Sequence, residues 1–204
     1  MTKKRAYHHG DLRRTLMSEA LGLIDERGLD GWTLKEAARR AGVSHTAPYR
    51  HFDDKDALLE ALALEGLDAV RDAMLRAAER AEREDASDAR RALLDVAFSV
   101  VRLALNKPAL YQVTFSGARP NSIAQLDAAA ETTAFGTLRT MVERWQHAGL
   151  LDAEATPRDL ALALWATTHG LAALLATGRL DIPKRKQREL SDQLVGALVD
   201  GIGR

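Results

Sequence analysis

The sequence predicts an all-α protein of about nine helices, with an N-terminal helix-turn-helix segment. Alanine (36) and leucine (31) make up a third of the 204 residues, whereas valine and isoleucine together number 13. Alanine and leucine lose little conformational freedom in a helix, while valine and isoleucine lose χ1 freedom. Apolar residues recur at helical spacing along the chain, and no strand-like alternation persists.

The first two predicted helices lie near the N-terminus. The first spans 11–27 and is followed by Gly28, where a C-terminal capping glycine is expected. The second begins after Thr33, which forms a capping box with Glu36. It ends at Gly42, because glycine takes the positive φ that a tight turn often needs.

The next two helices are defined by polar residues that can cap them. Ser44 is predicted to cap a short third helix that ends near residue 52. Pro48 has no backbone N–H, so the start of this helix can shift toward Thr46. Asp53 is predicted to cap a long fourth helix that reaches about residue 80.

Capping residues and prolines also set the ends of the remaining five predicted helices. Ser87 is predicted to cap the fifth helix, which stops before Pro108. Thr156 is predicted to cap the eighth helix, with Pro157 in its first turn. The predicted bounds are about 87–106, 109–115, 123–147, 157–177 and 184–202, with a loop over 116–121.

The eighth predicted helix is unusually apolar. It carries no charged residue from Leu160 to Gly178, a stretch long enough to span a membrane. Its alanines and threonines add little to membrane insertion, and His169 in mid-helix opposes it. A helix that is apolar on all sides also suits a protein core or an oligomer interface. We therefore expect a buried or interface helix and no membrane partner.

The segment 33–52 carries the residues with the clearest functional chemistry. Two short helices joined by a glycine-containing turn form a helix-turn-helix, and the small side chains of Ala37, Ala38 and Ala41 allow close packing. The exposed face is left with cationic side chains, Arg40 among them, and with hydroxyl and imidazole side chains, which suit DNA phosphates and base edges. The alternative is an ordinary pair of helices with a solvated basic face.

The residue order in this segment is distinctive. Residues 33–44 (TLKEAARRAGVS), 49–52 (YRHF) and 55–59 (KDALL) closely resemble the TetR (tetracycline-repressor) family of bacterial transcription regulators, and the resemblance covers about residues 9–60. Residues 7–13 (YHHGDLR) and the motif Trp165-x-x-x-His169-Gly170 resemble a subgroup named for its Trp-His-Gly motif. The resemblance implies a DNA-binding domain over 1–55 and an effector-binding and dimerisation domain over 56–204.

The resemblance also implies roles for individual residues. The third helix would enter the major groove, with residues 45–48 contacting base edges or methyl groups. Tyr49, His51 and Lys55 would contact the DNA backbone, and Thr33 would present its hydroxyl and amide to a phosphate. The predicted DNA-binding residues are Thr33, Lys35, Ser44, His45, Thr46, Ala47, Pro48, Tyr49, Arg50, His51 and Lys55.

The resemblance further implies that the protein is a homodimer formed through its last two helices. The expected partner is double-stranded DNA with a palindromic operator. Most members of the family are repressors, and we expect a small apolar effector to release this protein from DNA. Neither a cofactor nor a metal is expected. Trp165 and His169 lie four residues apart on one helix face, so they can also form a core pair. The candidate cavity residues, which a core would also use, are Phe98, Val101, Arg102, Tyr111, Phe115, Trp145, Trp165 and His169.

Two other functional classes remain as alternatives. A helical enzyme could use His169 with Asp159 or Asp181, but no nucleophile elbow, P-loop, His-Glu-x-x-His or dinucleotide-binding motif is found. A helical interaction module without DNA binding is the other class. The adjacent His8 and His9 cannot share one helix face, which disfavours a metal site there.

The N-terminal residues are basic. Lys3, Lys4 and Arg5 can form an arm that reaches into the minor groove, or a solvated tail. The first 30 residues lack the apolar stretch of a secretory signal, and the absence of cysteine fits a reducing compartment. The expected localisation is cytoplasmic.

Overall fold

The structure is a computed structural model that describes residues 9–116, 132–151 and 154–201. Within these ranges it contains eight α-helices, one short 3₁₀ helix and no strand, which confirms the predicted all-α class. The elements are α1 (His9–Arg27), α2 (Leu34–Arg40), the 3₁₀ helix (Ala47–Arg50), α3 (Lys55–Glu84), α4 (Ala89–Asn106), α5 (Pro108–Ser116), α6 (Ala134–His147), α7 (Pro157–Ala176) and α8 (Lys184–Gly201).

The chain forms two compact units. The first comprises Met1–Gly66 with Ala109–Ala118, and the second comprises Leu67–Pro108 with Arg119–Arg204. Helix α3 therefore contributes residues to both units. The division falls further along α3 than the domain boundary expected after residue 55, and α5 joins the first unit. Packing does not show which segment binds DNA, so the functional boundary stays a prediction.

In the first unit, α1 packs against α2, and α2 against the 3₁₀ helix. Leu16, Leu23 and Ile24 of α1 are buried, as are Ala37 and Ala38 of α2. The small alanine side chains let α2 lie close to its neighbours, as expected from the sequence.

The caps of three helices differ from the prediction by one or more residues. The prediction that Ser44 caps the third helix is wrong. This element is a 3₁₀ helix that begins after Thr46, and the side chain of Thr46 makes no capping hydrogen bond. Pro48 lies in its first turn, where a missing N–H costs nothing, and this moves the start toward Thr46. Asp54 rather than Asp53 caps α3, because its carboxylate accepts a 2.7 Å hydrogen bond from the amide of Ala57.

The third corrected cap is at α4. Asp88 accepts a hydrogen bond from the amide of Arg91 at 2.8 Å, in place of the predicted Ser87. The hydroxyl of Ser87 instead donates to the Asp85 carboxylate at 2.6 Å. Ser87 is thus engaged in a turn before the helix begins.

A glycine permits the close approach of α3 and α5 in the first unit. A Cβ built on Gly66 would lie 1.8 Å from Oγ1 of Thr114 and 3.0 Å from its Cβ. These separations are far below van der Waals contact, so any larger residue at position 66 would push the two helices apart.

The second unit is organised around α7, which packs against α4, α6 and α8. Thr156 caps α7 as predicted, accepting from the amide of Asp159 at 3.1 Å, and Pro157 opens the helix. Helix α6 begins after Thr133, which accepts from the amide of Gly136 at 3.0 Å. The helix predicted over 123–147 is therefore wrong at 132–133, which precede α6, and its predicted start at residue 123 lies outside the described residues. Of the loop predicted over 116–121, Ser116 is instead the last residue of α5, and the rest lies outside the described residues.

An ion-pair network joins α4 to α8. The buried carboxylate of Asp95 lies 2.7 Å from Nη1 of Arg188 and 3.3 Å from Nε of Arg91. Nε of Arg188 also donates to Asp192 at 2.7 Å. Because Asp95 is almost fully enclosed, these donors offset the cost of keeping its charge away from water.

Among the described helices, α7 is long and apolar enough to cross a membrane by length and composition. Only 44% of its apolar stretch is buried within the chain. The other residues of this stretch are half-buried or exposed, and Leu174 is 44% exposed.

Candidate functional site

The turn between α2 and the 3₁₀ helix gives the helix-turn-helix its shape. Gly42 adopts φ +69°, which an L-residue rarely takes. The amide of Val43 donates to the carbonyl of Ala38 at 3.0 Å, and the amide of Gly42 to Arg39 at 3.2 Å. This pair of bonds is a Schellman motif, which ends α2 and directs the chain into the next helix.

The structure brings most predicted DNA-binding residues to one short stretch of surface. Tyr49 is 48% exposed, and Ser44 and Thr46 share a 3.1 Å hydroxyl–hydroxyl hydrogen bond. Pro48 is buried, so its side chain packs inside the first unit. The exposed members are Thr33, Lys35, Ser44, His45, Thr46, Tyr49 and Arg50, and the half-buried ones are Ala47, His51 and Lys55. We call the stretch 44–50 the polar turn.

Thr33 is already engaged within the chain. Its amide and its hydroxyl both donate to Oε2 of Glu36, at 2.9 and 3.0 Å, and its hydroxyl accepts from the amide of Glu36 at 3.3 Å. Nη1 of Arg27 donates to the same carboxylate at 2.7 Å. The hydrogen bonds from Arg27 and then Thr33 lower the pKa of Glu36. A phosphate at Thr33 would therefore have to displace the carboxylate of Glu36.

Lys55 is held by the residue that precedes Thr33. Its Nζ donates to the carbonyl of Trp32 at 3.2 Å and lies 4.7 Å from the centre of the Trp32 ring. An ammonium carries three donors, so this contact leaves capacity for a phosphate. Lys55 thus fixes the start of α3 against the start of α2.

Two ion pairs join α1 to α2, and each occupies an arginine side chain. Arg40 makes a two-point ion pair with Glu26, and Arg27 pairs with Glu36. Hydrogen bonding from Arg40 lowers the pKa of Glu26. Sequence reasoning placed Arg40 on the exposed basic face and missed Glu26, which lies 14 residues away and carries no local signal.

A small cavity lies inside the second unit. The space open to the centre of a water molecule is about 10 Å³, which is room for a single water. Two of its lining residues, Trp165 and His169, are among the predicted cavity residues. The lining residues are Met74, Leu93, Val96, Ala97, Val100, Leu138, Leu164, Trp165, Thr168 and His169.

The two predicted cavity residues form an aromatic pair. The rings of Trp165 and His169 lie 4.1 Å apart, and Phe135 meets Trp165 edge-on at 5.7 Å. His169 as a whole is half-buried, but its Nε2 is shielded from solvent. Burial lowers the pKa of His169 to about 3, because the charged imidazolium loses its hydration. The imidazole is therefore neutral near pH 7.

The other predicted cavity residues lie elsewhere. The Phe98 ring faces Arg188 at 5.2 Å, and Val101 and Trp145 are buried outside the cavity lining. Arg102 is exposed. Tyr111 and Phe115 belong to the first unit, where their rings lie 4.8 Å apart.

Sequence reasoning missed the α4 contribution to the cavity. Leu93, Val96, Ala97 and Val100 follow the i, i+3, i+4, i+7 pattern of one helix face. That periodicity could have identified them. Sequence reasoning instead named large side chains such as Phe98, which project from other sides of α4.

Within the described residues, no group of three or more potential metal-binding side chains comes together. His8 and the side chain of His9 lie outside the described part of the chain, as do Lys3, Lys4 and Arg5. The minor-groove arm therefore stays a prediction.

Two family models match the chain. Residues 16–62 match one described as "Bacterial regulatory proteins, tetR family". Residues 93–198, just over half of the chain, match one described as "Tetracyclin repressor-like, C-terminal domain". The first covers the helix-turn-helix, and the second covers α4 together with the later helices.

Curated relatives match part of the chain. The class D tetracycline repressor protein of Escherichia coli is 38% identical over 86 residues, which are 40% of this chain and 39% of that protein. The HTH-type transcriptional regulator BetI of Burkholderia thailandensis is 45% identical over 82 residues, which are 40% of each chain. The matches thus span about two fifths of the length of these relatives.

Solved structures extend the similarity to the whole chain. A protein of unknown function from Rhodococcus sp. RHA1 is 33% identical, with a TM-score of 0.76 over 98% of this chain and 100% of that one. The two family models match residues 16–62 and 93–198, and the fold of the Rhodococcus protein is similar over 98% of this chain. Both findings agree with the helix-turn-helix geometry. The chain belongs to the TetR family of bacterial regulatory proteins.

Proposed function

We propose that the protein is a homodimeric, sequence-specific DNA-binding transcriptional regulator, a repressor that a small effector releases from its operator. The observation that carries this proposal is the polar turn, which exposes hydroxyl, imidazole, phenol and guanidinium groups directly after a helix-turn-helix bend. These groups suit base edges and phosphates in a major groove. Membership of a family of transcription regulators supports it.

Within this proposal the polar turn reads DNA. Ser44, His45 and Thr46 contact base edges, with the small side chain of Ala47 beside a thymine methyl group. Tyr49 and Arg50 contact phosphates, since both are exposed at the end of the turn. Lys35, His51 and Lys55 add backbone contacts at its border, and Thr33 joins them when Glu36 moves aside.

The uncovered side of α7 and its neighbour α8 form the dimer interface in this proposal. Leu174 of α7 is 44% exposed and Leu194 of α8 is 42% exposed. Such apolar surface is costly in water, and a second copy of the chain would bury it. A two-fold dimer places its reading heads on a palindromic operator, with half-sites about 34–36 Å apart or a multiple of that.

The cavity of the second unit is the effector site in this proposal. Met74 of α3 lines the cavity, and Lys55 is the first residue of the same helix. An effector that enters there shifts α3 and changes the spacing of the two heads. It does so only if it binds the DNA-incompetent state more tightly, with a coupling of about 1–3 kcal/mol. The Trp165–His169 pair at this site supports assignment to the Trp-His-Gly subgroup.

A salt titration of DNA binding tests the proposal. Affinity for a duplex selected by the protein should fall steeply with ionic strength, because phosphate contacts release counterions. Arg50→Ala should weaken binding and reduce the slope of log K against log salt by about 1. Arg76→Ala is the matched control, since it removes the same charge from an exposed position of α3. Absence of binding at low salt, or equal effects of both variants, would contradict DNA recognition by the polar turn.

The oligomeric state tests the interface. The double variant Leu174→Glu with Leu194→Glu should be monomeric by light scattering and lose affinity for a palindromic duplex. Leu64→Glu, at a leucine that is 57% exposed on α3, is the control and should remain dimeric. A monomeric wild type, or a dimer that survives the double substitution, would place the interface elsewhere.

A further inference from the structure

The two sides of α8 differ in chemistry. The buried residues of this helix are Ser191, Val195 and Gly196. Val195 is the one among them with a large apolar side chain. Leu194 is 42% exposed, and Leu190 is half-buried. The leucines of α8 are therefore less covered by their own chain than the small and polar residues beside them.

The leucines and the buried residues are one position apart along α8. Leu190 immediately precedes Ser191, and Leu194 immediately precedes Val195. Successive residues of an α-helix lie about 100° apart around its axis. A rotation of α8 by about that angle would place the two leucines where Ser191 and Val195 now lie. Because burial of a leucine is more favourable than burial of a serine, apolar packing alone favours the rotated helix.

A buried ion pair opposes this rotation. Nη1 of Arg188 in α8 lies 2.7 Å from the carboxylate of Asp95 in α4, whose side chain is 5% exposed. Nε of Arg188 donates to Asp192 at 2.7 Å, and the guanidinium carbon lies 5.2 Å from the centre of the Phe98 ring. Rotation of α8 would carry Arg188 away from Asp95 and leave that buried carboxylate without its cation from α8, which is costly.

We propose that Asp95 and Arg188 are positioning residues for dimerisation, because their ion pair fixes the rotation of α8 and keeps Leu190 and Leu194 available to a second copy of the chain. A buried polar group can specify the register of a helix at some cost in stability. The inference rests on the proposed dimer interface of α7 and α8. It adds to that interface the residues that keep its apolar side turned outward.

Replacement of both charges by apolar side chains tests the positioning role. The double variant Asp95→Leu with Arg188→Met should remain folded, with a single transition in urea, because apolar replacement of a buried ion pair is often neutral or stabilising. Its dimer dissociation constant, measured on the full-length protein by sedimentation equilibrium, should rise by about tenfold, which corresponds to the burial of one leucine side chain. Its Tm should also depend less on protein concentration than that of the wild type.

A second ion pair between the same two helices supplies the matched control. Nε and Nη2 of Arg90 in α4 donate to the carboxylate of Asp200 in α8 at 2.8 and 2.7 Å. These side chains are 49% and 52% exposed, and an exposed ion pair contributes little. Arg90→Met with Asp200→Leu removes the same two charges, and the dimer dissociation constant should stay within about twofold of the wild type.

An unchanged dissociation constant in folded Asp95→Leu with Arg188→Met, or an equal rise in both double variants, would overturn the positioning role. If that variant does not fold, Asp95→Asn decides the question, because it keeps the size of the side chain and removes its charge. Asp95→Asn should raise the dissociation constant as well, and a constant equal to that of the wild type would overturn the role. A monomeric wild type would overturn the proposed interface and this role with it, whereas a dimer that the substitutions do not weaken overturns this role alone.

Discussion

His169 should make the folded protein sensitive to acid. Its pKa is about 3 in the folded chain, against an ordinary value of 6.5. Below pH 6.5 the unfolded chain therefore binds a proton that the folded chain does not, and falling pH favours unfolding. The stability that the neutral imidazole contributes is fully present above pH 6.5 and is lost progressively as pH falls toward 3.

The size of the loss follows from this difference in pKa. Each pH unit within the window costs about 1.4 kcal/mol. Between pH 7 and pH 5 the contribution of His169 to the free energy of unfolding should fall by about 2 kcal/mol. His169→Leu removes the titrating group, so the difference between wild type and variant isolates this contribution.

Urea unfolding at fixed protein concentration, followed by circular dichroism at pH 7, 6 and 5, measures the difference. We expect the advantage of the wild type over His169→Leu to shrink by about 2 kcal/mol across this range. A constant difference between wild type and His169→Leu would show that the imidazole titrates alike in both states, which would refute its burial in the cavity.

Three further substitutions have specific expected outcomes. Thr33→Ala should destabilise the protein by about 1 kcal/mol through loss of the α2 cap, while Thr33→Ser retains the capping oxygen and should remain close to wild type in urea unfolding. Gly66→Ala should cost about 1–3 kcal/mol because its Cβ overlaps Thr114, and adding Thr114→Ala should restore most of the loss in Tm. Arg188→Met should destabilise by about 1–3 kcal/mol, because it leaves the buried Asp95 carboxylate with fewer donors. The double variant with Asp95→Leu should lose less than the sum of the two single variants, and strict additivity would argue against the ion pair.

Local signals predicted the helix-turn-helix well. The capping box of Thr33 and Glu36 is present, and Gly42 has the positive φ expected of it. Thr156 with Pro157 opens α7 as predicted. In each case the signal and its effect lie within four residues, so nothing distant competes with them.

The errors arose where equivalent groups stand side by side. Asp53 and Asp54 have the same capping chemistry, and packing rather than sequence decides which one lies at the helix start. At the third helix, Pro48 lies in the first turn, so the helix begins after Thr46 and Ser44 does not cap it. Such choices depend on where the chain enters the core, which local propensity does not encode.

Contacts between distant residues could not be predicted at all. Glu26 and Arg40 are 14 residues apart, and Asp95 pairs with Arg188 from another helix. The cavity shows the same limit. Trp165 and His169 were predicted as cavity residues because of their residue types. Met74 was not, because it is one apolar position among many on a long helix. Only the packing of α3 against other helices of the second unit reveals which of those positions lines a space.

Selection from a random pool of DNA duplexes by the purified full-length protein tests the central claim most directly. We expect a two-fold-symmetric consensus whose half-sites lie about one helical turn, or a multiple of it, apart. Arg50→Ala should enrich that consensus poorly, while Arg76→Ala should recover it. Failure to enrich any sequence at low ionic strength, or recovery of a single asymmetric site bound by one copy of the chain, would contradict recognition of DNA by a dimer.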